Sequence, residues 1–190
     1  MSVPSAHLVG HSHGGVIALQ FALDYSASVR TLSLLEPALV GFIPDAKVIQ
    51  QKFVSIIQAY EKGDKTGSID QMLQMIGGRK YRNVTESVLP SSFDQAVVDA
   101  DSLFKIDMPG MRSWSIRREE LRRIDAPILS VLGSDSQPML RETCEVVQQW
   151  FPKSEMHVVQ NATHWLQPTS PTGLAKGLVN FFRKHSIKNF

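Results

Sequence analysis

Five residues, Gly10–Gly14, constrain the fold more strongly than any other part of the sequence, because they place a serine in a G-x-S-x-G pattern. A short apolar run, residues 6–10, precedes Ser12, and apolar residues at helical spacing follow from Val16. This order predicts a buried strand, a sharp turn and a helix, with the serine hydroxyl held clear of a sheet. We expect glycine at both ends of the pattern, because a Cβ there would collide with the neighbouring strand and helix. The alternatives are a glycine-rich turn without catalysis and a phosphate-binding turn, but the P-loop lysine is absent.

Further strand and helix patterns predict an α/β fold. A second buried strand is indicated at residues 31–35, so a strand, a helix and a strand follow one another within about thirty residues, as in the crossover unit of a parallel sheet. Strand patterns return at residues 127–132 and 156–159, with a helix at 140–150 between them. An amphipathic helix at residues 174–182 comes last.

The middle of the chain, residues 38–120, has a different character and contains no strand pattern. Helical spacing begins at Ile49, a second helix is predicted with Ser68 as its cap, and a third begins at Ser92. We therefore expect a mainly helical insertion in the α/β body. This divides the chain into a first core part, a helical cap and a second core part, at residues 1–37, 38–120 and 121–190.

The composition is that of an ordinary globular domain, and it narrows the range of functions. The chain has 190 residues, of which 43% are hydrophobic and 20% charged. Its formal net charge is only +2, so we expect no nucleic-acid partner. Cys144 is the single cysteine, which excludes an internal disulfide and a cysteine-based metal site and is typical of a reducing compartment.

Targeting and membrane signals are not found in the sequence. No run approaches the ~18 apolar residues of a membrane span. Residues 1–15 lack the basic and long apolar regions of a secretory signal peptide. We therefore expect a cytoplasmic protein without a membrane partner.

A serine hydroxyl is a poor nucleophile unless a base removes its proton, and His164 is the best candidate for that base. It lies in a polar loop, residues 161–168, after the last predicted strand and before the last helix. His11 and His13 flank Ser12, but side chains beside such a serine point away from its hydroxyl, so we expect their rings to be structural. The backbone N–H of His13 is expected to form half of an oxyanion hole.

The sequence resembles the α/β-hydrolase superfamily. The resemblance is carried by three segments and extends from about residue 6 to about residue 185; the segments are Gly10–Gly15, Pro127–Ser136 and Asn161–Pro168. It implies the C-terminal part of an α/β-hydrolase fold, a mainly parallel sheet with flanking helices, in which residues 38–120 are the family's variable cap. It also implies a nucleophile, an acid and a histidine in that order along the chain.

The acid of this triad has two candidates. Many members of the superfamily place it three residues after the glycine that ends the penultimate strand, where this chain has Ser136. Asp135 is one residue early, a displacement that a loop can absorb, and it is our first choice. The alternative is Glu36, at the end of the strand after the serine turn, where some members, including certain haloalkane dehalogenases, have their acid. Either carboxylate would orient His164 and stabilise its protonated ring.

A serine nucleophile also narrows the reaction. Haloalkane dehalogenases and epoxide hydrolases of this superfamily use an aspartate at the turn, so Ser12 indicates acyl chemistry on an ester, thioester, lactone or amide. Carbon–carbon bond hydrolases of the same superfamily also use serine, so hydrolysis of a carbon–carbon bond is a second possible reaction. We expect a small-molecule substrate, no cofactor and no metal ion.

The resemblance also raises the question of what precedes the serine strand. The superfamily has about four strands before it, and the loop after the third provides the second oxyanion donor. The residues before Ala6 are too few to supply them. We therefore expect a fragment of a longer protein, weak or inactive alone, since loss of one oxyanion donor costs ~10²–10³ in turnover. The strand at residues 6–10 would form an apolar sheet edge, open to self-association.

Two functions stay open from the sequence alone. The leading hypothesis is a serine hydrolase that uses Ser12, His164 and either Asp135 or Glu36. The alternative is a non-catalytic module that binds a small ligand or a protein through the helical cap. The displaced acid and the missing strands favour this alternative.

Overall fold

The computed structural model describes residues 5–186, in which four aliphatic-rich segments form one parallel sheet. The strands, in the same order in the sheet as in the chain, are β1 (Ala6–His11), β2 (Val29–Leu35), β3 (Ile128–Gly133) and β4 (Glu155–Val159). Because all four strands run in one direction, their carboxyl ends meet at the same edge of the sheet. The α/β class with a parallel sheet is confirmed.

Ten α-helices are described in this part of the chain. They are α1 (His13–Asp24), α2 (Ala46–Glu61), α3 (Lys65–Gly77), α4 (Tyr81–Val88), α5 (Ser92–Val98), α6 (Ala100–Ser102), α7 (Met108–Ser113), α8 (Pro138–Trp150), α9 (Leu166–Thr169) and α10 (Pro171–Lys184). A π-helical turn, Leu103–Asp107, joins α6 to α7, and short 3₁₀ turns lie at Ser26–Ser28 and Glu120–Arg123.

The two faces of the sheet pack against different helices. Leu32 and Leu34 of β2 lie on the face that is covered by α1 and α8. Leu129 and Val131 of β3 lie on the other face and pack against α10, where Phe181 is buried. Both faces of the central strands are thus removed from water, as is usual in parallel sheets.

Strand β1 lies at the edge of the described sheet. Within residues 5–186 it pairs with β2 alone, and its residue Val9 is 42% exposed. The predicted apolar strand edge is therefore present in the described part of the chain. Self-association through it stays a prediction.

The segment between β2 and β3 is helical and contains no strand, as its sequence pattern predicts. Its helices have a hydrophobic core of their own, in which the rings of Tyr60 and Phe104 stack with their centroids 4.4 Å apart. Two details differ from the prediction. Helix α3 begins at Lys65 with Asp64 as its cap, since the Asp64 carboxylate accepts from the Gly67 N–H at 2.8 Å, so Ser68 is not the cap. The stretch from Ser92 is broken into α5, α6 and the π turn. The three-part division of the chain stays a prediction.

Candidate active site

Ser12 occupies the sharp turn between β1 and α1. Its φ of 54° and ψ of −121° are unusual for a residue with a side chain, and such strain persists only where the surroundings hold it. The Ser12 N–H donates to the Leu35 carbonyl at 3.0 Å, while its own carbonyl accepts from the N–H groups of Gly15 and Ala38, both at 2.9 Å. The hydroxyl does not cap α1, although Ser12 precedes that helix. The backbone is therefore fixed while the hydroxyl is left available for chemistry.

The glycines around Ser12 are not equivalent. A Cβ at Gly10 would overlap the Gly14 carbonyl oxygen and lie 2.7 Å from the Ala18 Cβ, and a Cβ at Gly15 would lie 2.8 Å from the Pro37 Cβ. A Cβ at Gly14 would meet nothing within 4 Å among the described residues. The steric requirement predicted for both ends of the pattern is correct for Gly10 and wrong for Gly14, which lies in the first turn of α1.

Glu36 and His164 form a buried pair at the carboxyl edge of the sheet. Glu36 follows β2 with a φ of 42°, and its side chain is completely buried. Its Oε2 lies 2.7 Å from His164 Nδ1, and its Oε1 accepts from the Gly133 N–H at 2.7 Å. The His164 residue is 1% exposed. A carboxylate bonded to Nδ1 keeps that nitrogen protonated and leaves Nε2 as the basic nitrogen of the ring.

Asp135, the first choice for the acid, is not the partner of His164. Its residue is exposed, and its carboxylate accepts from the Ser134 hydroxyl at 2.8 Å. Among the hydrogen bonds of residues 5–186, none joins Asp135 to His164. The physical reason is that the turn after β3 contacts the histidine loop through its backbone and not through the Asp135 side chain. The Asp135 N–H donates to the Ala162 carbonyl at 2.9 Å. Asp135 thus supports the histidine loop through its main chain, and the carboxylate beside His164 comes from Glu36.

The turn after β3 holds the histidine loop at two further points. The Ser134 hydroxyl accepts from the Asn161 N–H at 2.9 Å, and Asn161 has a φ of 56°. A Cβ at Gly133 would overlap the Ala162 carbonyl oxygen, so only glycine permits this close approach. The turn after β3 therefore fixes the loop that carries His164, in addition to the bond between the His164 ring and Glu36.

The His11 ring lies at the candidate site, and the structural role expected for it stays a prediction. Its centroid lies 4.5 Å from that of the His164 ring. Burial, followed by the charge of a protonated His164, lowers the pKa of His11 to about 4. Its Nε2 is buried, and no side-chain hydrogen bond to it is found among residues 5–186. A neutral aromatic ring thus packs against His164 at neutral pH. Its position next to Ser12 was the only available sequence signal.

Two other residues complete the surroundings of the pair. His13 is the first residue of α1, so its N–H is among those that the helix cannot satisfy internally. The ring of Trp165 meets the His164 ring edge to face with centroids 5.7 Å apart, and it also packs against the core of the helical segment. Trp165 could not be singled out from the sequence, because an aromatic residue in a loop belongs to no periodic pattern. Trp165 links the histidine loop to the helices between β2 and β3.

Residues 5–186 contain no group of three His, Cys, Asp or Glu side chains that could hold a metal ion. None of the helices described there is both long enough and apolar enough to cross a bilayer.

Comparisons with known proteins concern the family and the fold. The family model of the alpha/beta hydrolase fold matches residues 1–171. The chain is 25% identical to the monoacylglycerol lipase ABHD6 of Bos taurus, over 96% of this chain and 56% of that protein. It is 23% identical to the 2-hydroxy-6-oxo-6-phenylhexa-2,4-dienoate hydrolase of Comamonas testosteroni, over 97% of this chain and 65% of that protein.

A solved structure shows the same fold. A thermophilic esterase superposes with a TM-score of 0.70 at 20% identity, and the match covers 96% of this chain and 67% of the esterase chain. The chain spans 56% and 65% of the lengths of the two curated relatives above.

Proposed function

Because this chain belongs to the α/β-hydrolase family, we propose that it acts as a serine hydrolase on an ester or related acyl bond of a small molecule. The observation that carries the proposal is the buried pair of Glu36 and His164 at the same sheet edge as the strained Ser12 turn. The proposed triad is Ser12, His164 and Glu36.

The proposed reaction divides the work among these groups. His164 Nε2 accepts the proton of the Ser12 hydroxyl as the oxygen attacks the substrate carbonyl, and Glu36 stabilises the protonated ring. The His13 N–H donates to the negative oxygen of the tetrahedral intermediate. His164 then gives its proton to the leaving group, and water hydrolyses the acyl-serine in a second step.

We propose slow turnover for a site formed by residues 5–186 alone. The described residues include no strand on the free side of β1, which is the side where the family places the loop with a second oxyanion donor. A missing donor lowers turnover by ~10²–10³. The test should therefore detect a single covalent event rather than many turnovers.

A fluorophosphonate probe tests the proposal, because it reacts with an activated serine once and stays attached. We expect one probe per chain, found on Ser12 by peptide mass spectrometry, and no labelling of Ser12→Ala. Ser113→Ala is the control, because Ser113 is exposed and its hydroxyl donates to the Gly110 carbonyl of the same helix at 2.9 Å. Absence of labelling on Ser12 in the folded chain would contradict a catalytic role.

One of the two observations that favour a non-catalytic binding module no longer applies. That alternative drew on a displaced acid, and Glu36 provides a carboxylate at the histidine without any displacement. The probe experiment separates the two functions, since a binding module has no activated serine.

A further inference from the structure

The ring of His11 packs against the ring of His164 at the end of β1. His11 is the last residue of that strand and directly precedes Ser12. In the sheet it pairs in register with Leu35, the residue before Glu36. The two histidine ring centroids lie 4.5 Å apart, with 39° between the ring planes, a separation at which aromatic rings are in contact. His11 is therefore next to Ser12 in the chain and next to His164 in space.

The bond to Glu36 does not by itself fix the direction in which His164 Nε2 points. It holds a single ring atom, Nδ1, at 2.7 Å from Glu36 Oε2. A hydrogen bond tolerates ~30° of misalignment with little loss, and a tilt of that size about this contact moves Nε2 by about 1 Å. A misplacement of about 1 Å in a reacting group can lower a rate ~10²-fold. Proton transfer from Ser12 therefore requires a second constraint on the ring.

The His11 ring provides such a constraint through its shape. Its Nε2 is buried, and no side-chain hydrogen bond to that nitrogen is found among residues 5–186. Trp165 makes another ring contact with His164, edge to face, with centroids 5.7 Å apart. The flat surface of the His11 ring, and not its polar atoms, is what limits rotation of the His164 ring on that side.

The ring of His11 is also uncharged when His164 takes up a proton. Burial, followed by the charge of a protonated His164, lowers the pKa of His11 to about 4. The titratable groups that face His11 are Glu36, at the end of β2, and His164, in the histidine loop, and the negative charge of Glu36 opposes part of this shift. A positive ring in contact with His164 would repel the imidazolium that forms during proton transfer. A neutral, planar side chain is therefore suited to position 11.

We propose that His11 is a positioning residue whose ring limits rotation of the His164 imidazole and keeps Nε2 directed at the Ser12 hydroxyl. The inference rests on the proposed function, because the direction of Nε2 matters for catalysis if Ser12 gives it a proton. The experiment measures labelling of Ser12 and the state of the His164 ring separately, so that the two proposals can fail separately.

The labelling arm removes the His11 ring and then restores it. We expect His11→Ala to lower the rate of fluorophosphonate labelling at Ser12 about tenfold, less than the ~10² of a full misplacement because the contact with Trp165 remains. His11→Phe restores a neutral planar ring and should recover most of that loss. His11→Leu fills a similar volume without a planar ring and should recover less. A wild-type rate in His11→Ala, or equal recovery by leucine and phenylalanine, would overturn the proposal. If circular dichroism shows that His11→Ala does not fold, the comparison of His11→Phe with His11→Leu decides.

His7→Ala is the matched control on the same strand. His7 lies four residues before His11, on the same face of β1, and its ring stacks on that of Phe182 with the centroids also 4.5 Å apart. It therefore loses a ring contact of the same kind, to helix α10 and not to the candidate site. We expect the labelling rate of His7→Ala to be that of the wild type. A loss as large as that of His11→Ala would show that the effect is not specific to the contact with His164.

The second arm follows the Nδ1–H proton of His164 by proton NMR, where a proton held between an imidazole and a carboxylate gives a separate downfield signal. We expect this signal in the wild type and in His7→Ala, its loss in Glu36→Gln, and its broadening by faster exchange with water in His11→Ala. An unchanged signal in His11→Ala would overturn the proposal, since a ring that merely fills space would leave the histidine bond intact. If Ser12 is labelled in no variant, the proposed function fails, and the NMR signal alone decides whether His11 holds the His164 ring.

Discussion

Replacing Glu36 by glutamine changes which nitrogen of His164 carries the proton, with almost no change in side-chain volume. The amide oxygen can still accept from the Gly133 N–H, which lies 2.7 Å from Glu36 Oε1. The amide NH₂ group then faces His164 Nδ1, which lies 2.7 Å from Oε2, and it can only donate there. The ring must present an unprotonated Nδ1 and a protonated Nε2, so it cannot accept the Ser12 proton. The same exchange of carboxylate for amide in a Ser-His-Asp triad costs about 10⁴ in kcat.

The free energy of unfolding provides a second measurement of the role of Glu36, and it does not depend on turnover. Glu36→Ala leaves two buried donors, the Gly133 N–H and the His164 Nδ1–H, without an acceptor. An unsatisfied buried donor costs about 1–3 kcal/mol, so we expect a loss of about 2–6 kcal/mol in the free energy of unfolding. Glu36→Gln keeps the first of these bonds and should lose less than Glu36→Ala.

The assay measures fluorophosphonate labelling rates at Ser12 together with urea denaturation, and Asp135→Asn is the matched control. The Asp135 side chain is exposed and its bond to Ala162 uses the backbone, so this variant should stay within about 0.5 kcal/mol of the wild type. Its labelling rate should also be close to that of the wild type. The reasoning is refuted if Glu36→Gln labels as fast as the wild type, or if Asp135→Asn shows the larger loss.

Two further predictions concern His11 and Gly10. The pKa of His11 is lowered to about 4, so below pH ~6.5 the unfolded chain binds a proton that the folded chain does not, and stability falls by about 3 kcal/mol between pH 6.5 and 4. His11→Phe should remove that part of the fall in urea denaturation, whereas parallel pH profiles for the two proteins would contradict the assignment. Gly10→Ala should cost about 1–3 kcal/mol in thermal unfolding because its Cβ lies 2.7 Å from the Ala18 Cβ. Gly14→Ala should be nearly neutral, because its Cβ meets nothing within 4 Å in the described part of the chain, and equal losses would show that the turn does not discriminate between the two glycines.

The parts of the fold that sequence reasoning predicted are those with a local signal. The apolar runs around Leu32 and Val131 are short and continuous, as in buried parallel strands, and both are in the sheet. The turn at Ser12 combines a strand, small residues and a helix within a few positions, so it could be recognised without knowledge of the rest of the chain.

The packing around His164 could not be predicted in the same way. His11 contacts His164 across the turn, and Trp165 joins the loop to a separate helical core. These contacts depend on how distant segments pack, and neither residue belongs to a periodic pattern.

The order of the strands explains why the carboxylate beside His164 belongs to Glu36 and not to Asp135, which the sequence motifs alone do not indicate. Both residues follow a strand at the carboxyl edge, so their positions in the sequence are equally suitable. Strand β2 lies between β1 and β3, and the Glu36 carboxylate is fixed from the β3 side by the Gly133 N–H at 2.7 Å. That bond and the strained backbone of Glu36, with a φ of 42°, orient the carboxylate before it meets the histidine. The turn after β3 is then left to position the loop of His164, so its side chain at Asp135 should tolerate substitution while its backbone contact with Ala162 is retained.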